Sequence, residues 1–161
     1  MKVTIENLKR FNACGDGKEW FKVTFGKSVE ENKLILTLAG VGKYDWAWWY
    51  LRKVLTKEQS VKIAIYASEQ VIGIFEKKYP KDDRPRKAIE AAKAYLKNPC
   101  DKTAAAAHAA YAAAYAAADA AAYAAADAAA YAAACAECAA TENKKLRKKI
   151  LIYALKIRGE K

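Results

Sequence analysis

The stretch from Ala104 to Ala140 limits the possible folds of this chain more than any other feature. It contains 27 alanines in 37 positions, with neither glycine nor proline. Alanine has the highest helix propensity of all residues because it loses no side-chain entropy in a helix. We therefore predict helix along the whole stretch, and favour one long helix over a helix that breaks near Asp119 or Asp127.

A polar ridge with a four-residue spacing runs along this stretch. Side chains four residues apart touch on a helix surface, and each step of four advances by roughly 400°, so the ridge spirals slowly. The alanines between them leave a smooth surface that neighbouring backbones can approach closely, including those of a second copy in a homo-oligomer. The ridge either forms polar contacts between helices or lines a groove for a nucleotide base, with Tyr111, Tyr115 and Tyr123 as candidate ligand contacts.

The remaining segments also carry helical spacing and helix-start residues. Thr4, Asp45, Thr56 and Asp83 are predicted N-caps, since short polar side chains accept bonds from the free N–H groups of a first turn. Other predicted features are a turn at 15–17 and helices over 18–25 and 143–157, and helix is favoured over strand for 28–38. The fold class follows as all-α: a helical bundle with closely packed alanine faces.

We predict two parts within this fold. Residues 1–56 form a small N-terminal helical subdomain, and residues 57–161 form an Ala-rich helical bundle. The larger apolar side chains that build a core concentrate in residues 1–100 and 146–157.

The formal net charge of +11 is unevenly placed along the chain. Residues 1–103 hold 21 basic against 13 acidic side chains, residues 104–142 hold four acids and no Lys or Arg, and residues 143–161 hold eight bases and one acid. A basic body favours anionic partners, among them nucleic acid through the C-terminal helix.

The N-terminal residues lack the apolar core of a signal peptide. The Ala-rich run is long enough to span a bilayer, but Asp119, Asp127 and Glu137 would lie inside it uncompensated, so we predict no membrane span. Four cysteines without a secretion signal are expected to stay reduced, which points to a cytoplasmic protein.

Two segments carry a family resemblance. The first is LKRFNAC at 8–14, followed by Trp20-Phe21 and by YDWAW at 44–48; the second is DDRPRKAIEAA at 82–92, followed by an Ala-rich run with AHAA at 107–110. Together they resemble the Imm-5-like putative immunity proteins and related small bacteriophage proteins. The resemblance implies a non-enzymatic protein that binds and neutralises a partner. Many nuclease-blocking immunity proteins are acidic, whereas this chain is basic, so an anionic ligand or complex fits better than a nuclease.

The segment DDRPR supplies the first candidate binding site. Arg84, Arg86 and Lys87 stand at the start of a predicted helix, where free N–H groups and the helix dipole favour an anion. The alternative is structural, because Asp82 and Asp83 can pair with these cations.

The aromatic cluster at 44–50 supplies the second candidate site. Trp46, Trp48 and Trp49 lie on more than one face of the predicted helix, so some of them should reach the surface and contact a protein or stack on a base. The alternative is that the cluster packs into the core.

No set of catalytic residues can be assembled from the sequence. His108 is the only histidine, and the CxxC pair of Cys135 and Cys138, with Cys14 and Cys100 as further ligands, has the wrong setting for a zinc knuckle. We therefore expect no enzyme activity, no metal and no cofactor.

These observations lead to two functional hypotheses. The first is an inhibitor or sequestering protein of phage–host or toxin–immunity conflict, acting on an anionic ligand such as a nucleotide signal or on a protein partner. The second is a basic helical module that binds nucleic acid.

Overall fold

A computed structural model describes residues 1–100 and 136–159 of the chain. Over these residues the fold is predominantly α-helical, and the predicted all-α class is confirmed. The seven described helices and two short strands, in chain order, are β1 (Lys2–Thr4), α1 (Ile5–Arg10), α2 (Gly15–Phe25), β2 (Ser28–Glu30), α3 (Glu31–Gly40), α4 (Tyr44–Val54), α5 (Lys57–Lys78), α6 (Arg84–Lys97) and α7 (Ala136–Gly159).

Most of the Ala-rich stretch lies outside the described residues. Its last five residues, 136–140, form the start of α7. The predicted single long helix, the close packing of its alanine faces and the candidate contacts at Tyr111, Tyr115 and Tyr123 fall in the remainder.

Several helix starts lie where the sequence predicts them. The Thr4 hydroxyl accepts a bond from the backbone N–H of Asn7 at 3.3 Å, and the Asn7 side chain accepts one from the Thr4 N–H at 2.9 Å, which completes a capping box. Helix α5 begins directly after Thr56, and α6 follows Asp83, although the Asp83 side chain makes no cap bond.

Other boundaries differ from the prediction. Helix α4 begins at Tyr44 with Lys43 at the cap, so the predicted cap at Asp45 is wrong and Asp45 lies in the first turn. The predicted turn at 15–17 is the first turn of α2, where the Cys14 sulfur accepts a bond from the Gly17 N–H at 3.3 Å. A cysteine sulfur takes the place of the usual oxygen acceptor at this cap, and the sequence therefore does not predict the start of α2 here.

The segment 28–38, predicted as helix, begins as a strand. Strands β1 and β2 pair antiparallel, with Val3 opposite Val29, and both valines are buried. Three residues are too few to show the alternation that marks a strand in a sequence. The partner strand comes from a distant part of the chain, so only tertiary contact reveals the pair.

The chain divides into two compact units, Met1–Thr56 with Leu151–Lys161, and Lys57–Ile150. The two parts that the sequence predicts are residues 1–56 and 57–161. In the structure Leu151, Ala154 and Ile157 are buried instead in the first unit. Their spacing marks an apolar helix face, but spacing does not say which core that face fills.

Each unit has its own core. In the first unit the most completely buried large side chains include Phe21, Ile35, Tyr50 and Leu51. In the second, α5 and α6 pack together as a helical hairpin, and the buried side chains of the described residues include Ile63, Ile72 and Ile89. None of the helices in the described ranges is both long and apolar enough to cross a membrane.

Candidate ligand-binding cleft

The cations of the DDRPR segment are paired within the second unit. Arg84 donates two bonds to the Asp82 carboxylate, at 2.8 Å from Nε and 2.7 Å from Nη2. Lys87 lies 2.9 Å from an Asp83 carboxylate oxygen. The bond from Arg84 holds the pKa of Asp82 below its ordinary value, and the same bond raises the pKa of Arg84. The anion site suggested by the sequence therefore already contains its own carboxylates.

Arg86 connects the two helices of the hairpin. Its Nε and Nη2 donate to the two carboxylate oxygens of Glu76 on α5, at 2.8 Å and 2.7 Å. Further along the hairpin, Lys93 lies 3.0 Å from both Glu69 and Glu90. Arg86 and Lys93 of α6 therefore pair with carboxylates of the protein itself, without a ligand.

Replacing Arg86 by alanine should lower the free energy of unfolding of the second unit by about 0.5–1 kcal/mol, since even a two-bond ion pair stabilises little at the surface. A double-mutant cycle with Glu76→Ala, followed by circular dichroism during urea unfolding, measures the pair alone. A coupling energy of zero would show that the two side chains do not depend on each other.

The aromatic residues surround a cleft in the first unit. Its volume is about 440 Å³, within the range of small-ligand pockets. The side chains that line it come from α1, α2, α3 and α4 and the loop after α1, and they are Leu8, Asn12, Ala13, Cys14, Gly17, Trp20, Phe21, Leu34, Leu38, Asp45, Trp46, Trp49 and Tyr50.

The lining changes from apolar to polar between the floor and the mouth. Buried side chains form the floor, and half-buried indoles form the walls at Trp20, Trp46 and Trp49. Asn12 and Asp45 are exposed at the mouth. An apolar interior with a few polar groups at the entrance is the usual arrangement of a pocket that orients a ligand.

Two of the three predicted tryptophans line this cleft. The Trp46 ring packs edge-on against Trp20, with the centroids 5.9 Å apart, and the Lys43 ammonium lies 3.9 Å from the Trp46 centroid. Trp48 is half-buried and does not line the cleft. Trp20 and Asp45 also line the cleft, although the sequence does not predict them as site residues. Trp20 lies on a predicted helix, but nothing in the spacing joins that helix to α4.

A buried hydrogen bond holds Tyr50, one of the side chains that line the floor of the cleft. The Tyr50 hydroxyl donates a bond of 3.1 Å to the carboxylate of Glu31, which is 5% exposed. Arg158 of α7 brings its Nε to 3.7 Å from the same carboxylate. Burial, followed by the negative charge of Glu31, raises the pKa of Tyr50 above its ordinary value of 10.0. The ring that closes the cleft is therefore held as a neutral hydrogen-bond donor.

Tyr50→Phe should be destabilising at neutral pH, by about 1–3 kcal/mol, because Glu31 loses a buried hydrogen bond. A raised folded-state pKa contributes stability below the ordinary value of 10.0, and that stability is lost as the pH rises toward the folded-state pKa. The difference between wild type and variant should thus shrink by about 1 kcal/mol between roughly pH 9 and pH 11. Urea unfolding at both pH values measures it; a difference that stays constant contradicts the buried phenol.

No metal site is found among the described residues, where no group of three His, Cys, Asp or Glu side chains is suitably arranged. Cys14 and Cys100 are exposed cysteines outside the helices. Of the remaining candidates for catalysis or metal binding, His108 and Cys135 lie in the part of the chain that the structure does not describe, and Cys138 lies in the first turn of α7.

A comparison with protein families identifies the chain. Residues 51–157, more than half of it, match the model of the Imm-5 like putative immunity protein family. The chain belongs to this family. The resemblance seen in the sequence is thereby confirmed. A search of curated proteins and a search of solved structures each found no match.

The match and the cleft cover different parts of this Imm-5 like protein. The matched residues include the hairpin of α5 and α6 with Arg84 and Arg86. The cleft is built from residues 8–50, which precede the match. The family match therefore identifies the class of protein but does not include the residues of the cleft.

Proposed function

We propose that this Imm-5 like protein is a non-enzymatic neutralising protein that holds its target in the aromatic cleft of the first unit. The target is an anionic small ligand or a protein partner met in phage–host or toxin–immunity conflict. The family name supports the class of function, since an immunity protein acts by blocking another molecule. The observation that carries the binding site is the cleft, with its indole walls and polar mouth.

The arginines of the DDRPR segment are already paired with carboxylates, which favours the cleft over that segment as the binding site. An anion arriving at Arg84 or Arg86 would have to displace a carboxylate that already accepts two bonds. The cleft needs no such exchange, because a ligand there covers half-buried indoles and displaces only water. Removing apolar surface from water contributes roughly 25 cal/mol per Å², so flat aromatic walls supply affinity without charge.

The chemistry of the cleft also supports a non-enzymatic role. Its titratable side chains in reach of the mouth are the Asp45 carboxylate and the Cys14 thiol, and the Cys14 sulfur already accepts a bond from the Gly17 N–H. A nucleophile needs an adjacent base, and among the described lining residues, which include neither histidine nor lysine, Asp45 is the one candidate base.

The experiment compares two double variants of the tagged protein purified from its native cells. Trp46→Ala with Trp49→Ala removes two walls of the cleft, and Arg84→Ala with Arg86→Ala removes the cations of α6. Mass spectrometry identifies the proteins that co-purify and the small molecules that heat releases. We expect at least a tenfold loss of the bound target for the tryptophan variant and full retention for the arginine variant.

Loss of the target by the arginine variant and retention by the tryptophan variant would place the binding site on α6 and contradict the cleft as the site. Trp49→Leu is the control for misfolding, since it keeps apolar bulk and removes only the flat ring. Circular dichroism and thermal melting of each variant establish that it is folded.

One observation favours nucleic-acid binding as a second candidate function. Helix α7 exposes a dense basic run, with Lys144, Lys145, Arg147, Lys148 and Lys149. Lys149 donates to the Gln70 side chain at 2.6 Å, so part of this run is engaged within the second unit. Binding through phosphates would weaken steeply with salt and show little sequence preference, and a titration of duplex DNA at two salt concentrations tests it.

A further inference from the structure

We infer that the cleft recognises a guanine nucleotide, with the base stacked on an indole wall and its edge bonded to Asp45. This inference rests on the proposed function, in which the cleft is the binding site. It goes beyond that proposal by naming the base and the residue that selects it.

The walls suit a flat heteroaromatic ring. Three indoles at Trp20, Trp46 and Trp49 surround a volume of about 440 Å³, and a nucleobase presents a π-face that stacks on such rings. The floor beneath them is apolar and buried, with Leu8, Leu34 and other aliphatic side chains. Stacking is tolerant of base identity, because all bases have a π-face. Selection must therefore come from the polar groups.

Asp45 is the charged side chain that lines the cleft. It lies exposed in the first turn of α4, and no described residue forms an ion pair or hydrogen bond with its carboxylate. An ionised carboxylate only accepts hydrogen bonds, through two oxygens side by side. Its ligand must therefore present donors.

Guanine is the base whose edge matches this requirement. Its N1–H and N2–H are adjacent donors and can bond to the two oxygens of one carboxylate. The corresponding edges of adenine and cytosine alternate a donor with an acceptor, so a ring lone pair would face the negative charge. Such a repulsive contact discriminates against the wrong ligand as strongly as a bond favours the right one.

The phosphate of a nucleotide finds positive charge beside the walls. The Lys43 ammonium lies 3.9 Å from the Trp46 ring centroid, outside the lining of the cleft. A base held in the cleft leaves its sugar and phosphate near the mouth, within reach of a flexible lysine side chain. The net charge of +11 also attracts an anionic ligand to the protein as a whole.

The test titrates the full-length protein with GMP and follows intrinsic fluorescence, supported by calorimetry. All four tryptophans lie in the first unit, so their fluorescence reports on this part of the protein. We expect saturable binding of GMP, at least fivefold weaker binding of IMP, which lacks the N2 amino group, and weaker binding still of AMP. A single-stranded tetranucleotide with one guanine should bind no more tightly than GMP.

The decisive variant is Asp45→Asn, which should weaken GMP binding at least tenfold. Glu19→Gln is its matched control, because Glu19 is an exposed carboxylate of α2 that does not line the cleft. It changes the net charge equally and should bind like the wild type.

The absence of saturable GMP binding, or equal binding by the Asp45 and Glu19 variants, would overturn the guanine assignment. Tighter binding of the tetranucleotide would overturn the free nucleotide as the ligand. The purification of native targets with the tryptophan variants tests the cleft separately. If those variants lose the target while GMP does not bind, the ligand is wrong and the cleft remains the site.

Discussion

Replacing Arg158 by methionine should lower the free energy of unfolding of the first unit by about 2–3 kcal/mol. Arg158 brings its Nε to 3.7 Å from the Glu31 carboxylate, and Glu31 is 5% exposed. Removing one partner of a buried pair costs roughly 3–5 kcal/mol because the other charge stays buried and unpaired. We reduce this figure because the Arg158 side chain is 28% exposed and the Tyr50 hydroxyl still bonds Glu31.

Urea unfolding followed by tryptophan fluorescence measures the loss in the first unit alone. Lys156→Met is the matched control, since Lys156 lies on the same helix, is exposed and carries the same charge. Adding Glu31→Gln to the Arg158 variant should recover part of the stability, because the neutral amide leaves no buried charge. Equal stability of the Arg158 and Lys156 variants would contradict a role for the pair.

Replacing Leu151 by alanine should destabilise the same unit by about 2–4 kcal/mol, the usual result of emptying a fully buried leucine site. Leu151 is 0% exposed and belongs to the first unit, although α7 begins in the second. Tryptophan fluorescence should report the loss, since the indoles belong to the unit that loses the side chain.

The neighbouring residue provides the control. Ile152 is 50% exposed, so Ile152→Ala removes a side chain of the same size from a surface position and should change stability by less than about 1 kcal/mol. A fluorescence transition that is unchanged in the Leu151 variant would mean that residues 151–157 do not contribute to the core of the first unit.

The helices of this protein follow from local chemistry. The structure confirms helix starts after Thr4, Thr56 and Asp83, and at Thr4 it shows the predicted cap bond, which depends on atoms only a few residues apart. The two strands do not follow from local chemistry, since the pairing of Val3 with Val29 depends on a segment some two dozen residues away. The start of α2 was missed for a local reason, namely a sulfur at the cap.

The candidate site was predicted only in part. Aromatic density marks Trp46 and Trp49, which line the cleft, but it also marks Trp48, which does not. The sequence favours a local role for Asp45 as a helix cap, whereas in the structure Asp45 is an exposed side chain that lines the cleft. For Arg86 of the DDRPR segment, the sequence suggests Asp82 or Asp83 as the carboxylate partner. The structure instead pairs Arg86 with Glu76 on α5.

The sequence by itself determined the all-α class, the starts of α1, α5 and α6, the basic charge and the family resemblance that the match over residues 51–157 confirms. These depend on propensity, capping and composition, which act over a few residues. Only the tertiary structure decided that residues 151–157 fill the first core, that Glu31 meets Tyr50 and Arg158, and that Trp20 and Asp45 share a cleft. Each of these contacts joins segments far apart in the chain. The sequence around an apolar helix face or a carboxylate does not indicate which distant residue it will contact.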